Sequence, residues 1–229
     1  MKTIGLLGGM SWESSLEYYR AMNREVSARL GGLHSAKILM NSLEFGELRD
    51  LMRAGEWDAI GHRLAGAALT LERAGADFMV IGTNTMHKVA PQVADALSIP
   101  LVHIADATAE VARSRGFGSV ALLGTIFTME DDFYVGRLAE RGFTVLVPDE
   151  ADRKLVDRVI FDELCRGELR DGSRAEFVRI IEDLAGRGAQ AAILGCTEIG
   201  LLVRPGDTPV PTLDTCGIHA AAAVEKALS

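Results

Sequence analysis

The segment LERAGADFMVIGTNT at residues 71–85 decides the fold, because its pattern returns in LAGRGAQAAILGCTE at residues 184–198. In each segment, helix-like sequence leads through a glycine into a short apolar run that closes in Gly-Thr or Gly-Cys. A short apolar run between helical segments is typical of a buried parallel strand. We therefore predict that the chain contains the same helix-to-strand unit twice.

Two further pairs of segments extend the repeat. TIGLLGGM at residues 3–10 is echoed by SVALLGTIFTM at 119–129, and IPLVHIADAT at 99–108 is echoed by TPVPTLDTCG at 208–217. All three pairs keep the same order, which chance rarely produces. The sequence predicts two similar α/β domains, residues 1–114 and 115–229, each closed by a C-terminal helix. Whether those helices cross over to pack on the other half is left open.

Short apolar runs alternate with longer segments of helical periodicity, which predicts a mainly parallel sheet flanked by helices in each domain. The runs are TIGLL, AKILM, FMVIG, LVHIA, SVALLG, FTVLV, AAILG and VPTL. The first helix is predicted to be capped by Ser11. Its predicted apolar face consists of Leu16, Tyr19, Met22, Val26 and Leu30.

Composition narrows the class of function. The chain has 229 residues and a net charge of −8, so no broad basic face is expected for nucleic acid or anionic lipid. No apolar run approaches the roughly 20 residues of a membrane-spanning helix, and the N-terminus does not resemble a signal peptide. The cysteines and histidines lack metal-ligand spacing, and an odd number of cysteines suits reduced thiols. We expect a cytoplasmic protein that acts on a small molecule without a metal.

The ends of the repeated strands carry the candidate chemistry. In doubly wound sheets, ligands bind beyond the carboxyl ends of the strands. If the two domains face each other about an approximate twofold axis, Thr83 and Cys196 approach a ligand in the interdomain cleft from opposite sides. Such a pair can remove a proton from one face of a carbon and return one to the other. A strand-to-helix turn can also depress the pKa of Cys196, whereas Cys165 and Cys216 are interpreted as small buried hydrophobes.

Backbone N–H groups and hydroxyls around these turns predict a cradle for a carboxylate. The glycine-rich GLLGGMS at residues 5–11 matches neither common nucleotide-binding motif. The predicted donors are the N–H groups of Asn84, Thr85, Thr197 and Glu198 and the hydroxyls of Ser11 and Thr125, with Met10 beside them.

Three segments, GLLGGMSWES, GTNTMHK and GCTEIGLL, together resemble the aspartate/glutamate racemase family, and the likeness runs over essentially the whole chain. The branch of aspartate and broad-specificity racemases is most similar, since glutamate racemases usually carry Asp-Ser-Gly in the first loop and His where Glu198 stands. The resemblance implies two α/β domains with pseudo-twofold symmetry and frequent dimerisation, here a homodimer. It also implies catalysis without pyridoxal phosphate, metal or nucleotide, by two cysteines at the ends of the repeated motifs.

The sequence departs from the family at one of these positions. Cys196 matches the second cysteine, but Thr83 occupies the place of the first. A threonine hydroxyl is too weak an acid to be a resting base. The resemblance implies that the second cysteine acts on the L-enantiomer, so we expect an enzyme that handles L-aspartate or L-glutamate better than the D-forms. By resemblance, the mouth of the site is lined by three arginines, one of which would pair with the side-chain carboxylate of the substrate: Arg49, Arg53 and Arg166.

Two alternatives remain open. Arylmalonate decarboxylases and maleate isomerases use a similar fold with cysteine chemistry. A protein that binds an amino acid but has lost catalysis would also fit the missing first cysteine.

Overall fold

The computed structural model describes residues 1–229 and divides into two compact units. The first consists of Met1–His103 together with His219–Ser229, and the second of Ile104–Ile218. The first unit is therefore built from two separate segments of the chain.

The first unit contains a four-stranded parallel sheet in the order β2-β1-β3-β4. Strand β1 lies in its middle, with every residue buried. The strands are β1 (Ile4–Gly8), β2 (Ile38–Ser42), β3 (Phe78–Ile81) and β4 (Leu101–Val102). The helices are α1 (Trp12–Leu30), α2 (Phe45–Ala54), α3 (Trp57–Arg73), a 3-10 helix (Thr85–Val89) and α4 (Ala90–Ala96).

The second unit repeats this arrangement with a parallel sheet in the order β6-β5-β7-β8. Alternate residues of β5 enter two apolar clusters, Val120 and Leu122 in one and Ala121 and Leu123 in the other, so both faces of the sheet are covered. The strands are β5 (Ser119–Gly124), β6 (Thr144–Leu146), β7 (Ala191–Gly195) and β8 (Thr212–Asp214). The helices are α5 (Ile104–Ser114), α6 (Ile126–Glu130), α7 (Val135–Glu140), α8 (Glu150–Asp162), a 3-10 helix (Leu164–Arg166), α9 (Asp171–Gly186), α10 (Ile199–Leu202) and α11 (Thr215–Leu228).

The predicted fold class is confirmed, since each of the eight apolar runs contains one strand and the two sheets share one strand order. The division of the chain differs from the predicted one at residue 114. Helix α5 belongs to the second unit, because its apolar residues Ile104, Ala109 and Ala112 pack in the cluster that contains β5 residues. Helix α11 begins in the second unit, and from His219 onward it belongs to the first.

The predicted apolar face of α1 is wrong in part. Met22 and Val26 are buried as expected, but Leu16, Tyr19 and Leu30 are exposed. The buried stripe starts instead at two serines and continues through Tyr18. The Ser14 hydroxyl donates to the Gly82 carbonyl at 2.8 Å, and the Ser15 Oγ accepts from the Gly9 N–H at 2.7 Å. These polar contacts set the helix rotation, which periodicity of apolar residues alone does not reveal. None of the helices has the length and apolar character needed to cross a bilayer.

Candidate active site

The two candidate residues follow equivalent strands. Thr83 lies two residues beyond the end of β3, and Cys196 follows the last residue of β7. A glycine precedes each of them at a point of close backbone approach. A Cβ on Gly195 would lie 2.8 Å from the Leu123 carbonyl oxygen, and one on Gly82 would lie 3.1 Å from that of Leu7. The repeated glycine therefore lets the chain stay against its neighbouring strand up to the candidate residue.

Cys196 is buried beside a carboxylate. Its Sγ donates to Glu198 Oε2 at 3.0 Å, and the Thr197 hydroxyl donates to the same oxygen at 2.6 Å. Burial, and then the negative charge of Glu198, raise the pKa of the Cys196 thiol well above its usual value. The resting cysteine is therefore a protonated thiol that donates to a carboxylate.

The expectation of a depressed pKa at Cys196 is wrong for this resting structure. Helix α10 has only four residues and begins at Ile199, so little helix dipole acts on the sulfur. Desolvation and the adjacent carboxylate outweigh it.

Glu198 also contacts a second cysteine, which the sequence analysis did not place in the candidate site. Its Oε1 lies 3.9 Å from the Sγ of Cys165, in the 3-10 helix Leu164–Arg166. Burial and the charge of Glu198 raise the pKa of Cys165 as well. The Glu198 carboxylate thus faces two thiols, and Cys165 is more than the isolated small hydrophobe that was expected.

Thr83 is half-buried and is held through its backbone. Its N–H donates to the Ile81 carbonyl at 2.9 Å, and its carbonyl accepts from Nδ1 of His87 at 2.8 Å. Asn84 and Thr85 follow it into the 3-10 helix Thr85–Val89, and both are buried. The region around Thr83 therefore presents neutral groups, in contrast to the carboxylate beside Cys196.

Ser11 and Thr125 occupy equivalent places after the central strands β1 and β5. Ser11 Oγ accepts from the Ser14 N–H at 3.2 Å and caps α1, as predicted. Thr125 Oγ1 accepts from the Thr128 N–H at 3.4 Å and caps α6. Both are buried, as is Met10, whose peptide bond to Ser11 is cis. Each hydroxyl therefore caps its own helix, and that of Thr125 also lies 3.2 Å from the Thr128 hydroxyl.

The three candidate arginines differ in burial. Arg53 on α2 and Arg166 in the second 3-10 helix are exposed. Arg49 on α2 is half-buried, and its Nε is enclosed without a hydrogen-bond partner. An enclosed N–H group without an acceptor is costly. Arg49 is therefore the arginine best suited to bind an anionic ligand.

The structure contains no group of three or more His, Cys, Asp or Glu side chains arranged to hold a metal ion.

Comparison with known proteins confirms the resemblance drawn from the sequence. Residues 7–223 match the model of the Asp/Glu/Hydantoin racemase family. The broad specificity amino-acid racemase RacX of Bacillus subtilis (strain 168) is 23% identical over 172 residues, which cover 75% of this chain and 74% of that protein.

Solved structures agree over the full length of the chain. A candidate Asp/Glu racemase from Yersinia pestis is 49% identical with a TM-score of 0.93, and both chains are covered completely. An aspartate racemase homologue from Pyrococcus horikoshii OT3 is 35% identical with a TM-score of 0.86, again with complete coverage of both chains.

Proposed function

Because this chain belongs to the Asp/Glu/Hydantoin racemase family, we propose that it racemises an acidic amino acid, aspartate or glutamate, without a cofactor. The observation that carries the proposal is the buried thiol–carboxylate pair of Cys196 and Glu198, whose atoms lie 3.0 Å apart at the end of β7. Thr83 holds the equivalent place after β3. Together these residues supply an acid/base group for each face of a substrate α-carbon.

The reaction from the L-enantiomer begins at Cys196. The Glu198 carboxylate accepts the thiol proton, and the thiolate then removes the proton from the α-carbon. A thiolate whose conjugate acid has a raised pKa is a stronger base, which suits removal of a weakly acidic C–H proton. The Thr83 hydroxyl donates a proton to the opposite face of the carbanion, solvent reprotonates the resulting alkoxide, and Glu198 releases to solvent the proton it took from the thiol. This sequence leaves the D-enantiomer and a thiol at Cys196.

The reverse direction is slower at its first step. From the D-enantiomer, the Thr83 hydroxyl would have to act as the base, and an alcohol ionises reluctantly near neutral pH. The equilibrium constant of racemisation is still one. The difference between the two sides therefore shows only in kinetic parameters and in which enantiomer exchanges its α-proton.

Substrate binding follows from the donors around the two turns. The backbone N–H groups of Asn84, Thr85, Thr197 and Glu198, with the hydroxyls of Ser11 and Thr125, would hold the α-carboxylate and stabilise charge that develops on it. Arg49 would pair with the side-chain carboxylate, because its buried Nε lacks an acceptor. That pairing is the reason for proposing an acidic substrate over other amino acids.

The cysteines bear on the cellular compartment of the protein, and the exposed apolar residues of α1 bear on its oligomeric state. None of the three cysteines forms a disulfide, and the mechanism needs Cys196 as a thiol, so we propose that the reaction takes place in the reducing cytoplasm. Trp12, Leu16 and Tyr19 are exposed along one side of α1, and apolar patches of this kind mark interaction surfaces. We propose that this side of α1 contributes to a homodimer, and sedimentation velocity distinguishes dimer from monomer.

Proton exchange in deuterated water tests the proposed function. The wild-type protein should incorporate deuterium at the α-carbon of L-aspartate or L-glutamate. Cys196→Ser should lower that rate by about 10³-fold, because a buried hydroxyl cannot replace the thiolate as a base. Cys216→Ala is the matched control, since Cys216 is also a buried cysteine but lies at the start of α11. An unchanged rate in Cys196→Ser, or no exchange in the wild type, would contradict the proposal.

A further inference from the structure

Three histidines form a buried cluster in the first unit. The ring centroid of His87 lies 4.5 Å from that of His103 and 5.7 Å from that of His219. His87 and His219 are at most 1% exposed, and Tyr18 packs against His219 with its centroid at 5.7 Å. The cluster joins α1, the first 3-10 helix, the end of β4 and the last helix.

The hydrogen bonds of His219 fix its protonation. Its Nε2 lies 2.9 Å from the Val102 carbonyl, which can only accept, so Nε2 carries the proton. Its Nδ1 lies 2.8 Å from the Tyr18 hydroxyl and accepts from it. Burial lowers the pKa of His219 to about 4, so the ring is neutral near pH 7. His219 is therefore a neutral ring held by two hydrogen bonds, and His87 packs against it.

His87 points a donor at Thr83. Its Nδ1 lies 2.8 Å from the Thr83 carbonyl, so Nδ1 carries the proton. Burial, then the neighbouring rings of His103 and His219, lower the pKa of His87 well below its usual value. The rings of His103 and His219 pack against that of His87 at interplanar angles of 63° and 62°, so packing restrains its ring plane and the direction of the Nδ1–H.

Both peptide groups that flank Thr83 are consequently held. The preceding one is fixed by the bond from the Thr83 N–H to the Ile81 carbonyl at 2.9 Å. The following one contains the Thr83 carbonyl and the Asn84 N–H at its two ends, so the bond from His87 fixes its plane and polarises that N–H. With both planes fixed, the direction of the Thr83 side chain from its Cα is determined.

We propose that His87 is a positioning residue that aims the Thr83 hydroxyl at the substrate α-carbon through the hydrogen bond from Nδ1 to the Thr83 carbonyl. This inference rests on the proposed racemase function. It gives the buried histidines a part in the reaction, although none of them touches the reacting atoms. Misplacing a reacting group by a fraction of an ångström to an ångström lowers its rate by one to two orders of magnitude.

The test uses a ratio that does not depend on how much protein is folded. In deuterated water, exchange of L-aspartate with retention reports on Cys196, and inversion to D-aspartate also requires Thr83. His87→Leu should raise the ratio of retention to inversion by roughly tenfold. His87→Asn should restore it, because the Asn amide N–H can stand where Nδ1–H stands. If His87→Leu does not fold, His87→Gln, whose amide extends one bond further, should raise the ratio in the same way.

His62→Leu is the matched control. Nδ1 of His62 lies 2.8 Å from the carbonyl of Asp58, also four residues earlier, but on an exposed part of α3. This variant should leave the ratio unchanged. An unchanged ratio in both His87→Leu and His87→Gln would overturn the proposal.

A second measurement separates this inference from the proposed function. The amide proton shift of Asn84 in NMR spectra should move upfield in His87→Leu and return in His87→Asn, since it follows polarisation of the shared peptide. Absence of exchange in the wild type would refute the racemase function alone. An Asn84 shift that is insensitive to His87→Leu would refute the positioning contact, whether or not the protein is active.

Discussion

The turn after β7 and the turn after β3 hold the same place in two sheets of the same strand order, but their chemical surroundings differ. Cys196 lies beside the buried carboxylate of Glu198. Thr83 is held by the neutral imidazole of His87. The scaffold of glycine, strand end and turn is common to both, whereas the ionisable groups are not. Matching folds therefore do not give matching acid/base strength, and the two proton transfers of a racemase need not be equally fast.

The distribution of ionisable side chains sharpens this contrast. All five histidines belong to the first unit, and three of them are buried. The second unit instead places two thiols, those of buried Cys196 and half-buried Cys165, around one carboxylate. Low pH should therefore destabilise the first unit by protonating its buried imidazoles. High pH should instead change the chemistry of the second unit by ionising the Cys196 thiol.

After replacement of Cys196 itself, the largest effect is expected at Glu198. Glu198→Gln removes the group proposed to accept the thiol proton, so exchange of L-aspartate near pH 7 should fall by about 10²-fold. The loss should shrink as pH rises, because hydroxide can then ionise Cys196 directly. A pH–rate profile measures both effects, with Glu182→Gln on the exposed side of α9 as control. A loss of equal size at every pH would instead indicate a purely structural role for Glu198.

A smaller effect is expected on the stability of the first unit at low pH. Burial lowers the pKa of His219 from 6.5 to about 4. The unfolded chain takes up a proton below about 6.5 and the folded one only near 4, so stability is present above this window and is lost as pH falls through it. At pH 5 His219 alone should cost about 2 kcal/mol relative to pH 7.

Hydrogen exchange of backbone amides compares the two units directly. Between pH 7 and 5, after correction for the intrinsic rates, protection should fall more in β3 and α11 than in β7. Equal losses in both units would contradict the assignment of acid sensitivity to the buried histidines.

The smallest effect is expected from making the two turns alike. Thr83→Cys should raise the initial rate from D-aspartate or D-glutamate by about tenfold, because a thiol ionises far more readily than an alcohol. The rate from the L-forms should change less. The initial racemisation rate, monitored by circular dichroism and started from each enantiomer in turn, measures the difference between the D side and the L side. Equal rates in the wild type, or no gain on the D side, would show that Thr83 does not limit the reaction.

Much of the fold could be predicted from the sequence, because strands and their order depend on short-range patterns that occur twice. The candidate pair of Thr83 and Cys196 was predicted on the same ground. The contact of Cys165 with Glu198 was not, since it joins a 3-10 helix to a distant strand end. The histidine cluster was also missed, because His87, His103 and His219 come from three separate segments that only tertiary packing brings together.

The composition of the first unit from two distant segments has a consequence for synthesis. Its sheet is made entirely from residues before His103, but His219–Ser229 completes it, and the Lys2 N–H donates to the Ala227 carbonyl at 2.8 Å. The second unit is a single continuous segment. On the ribosome, domains generally fold in the order in which their residues emerge. Here we expect the second unit to fold first. The first unit, although its sheet is translated earlier, can complete its fold only after residues His219–Ser229 have emerged.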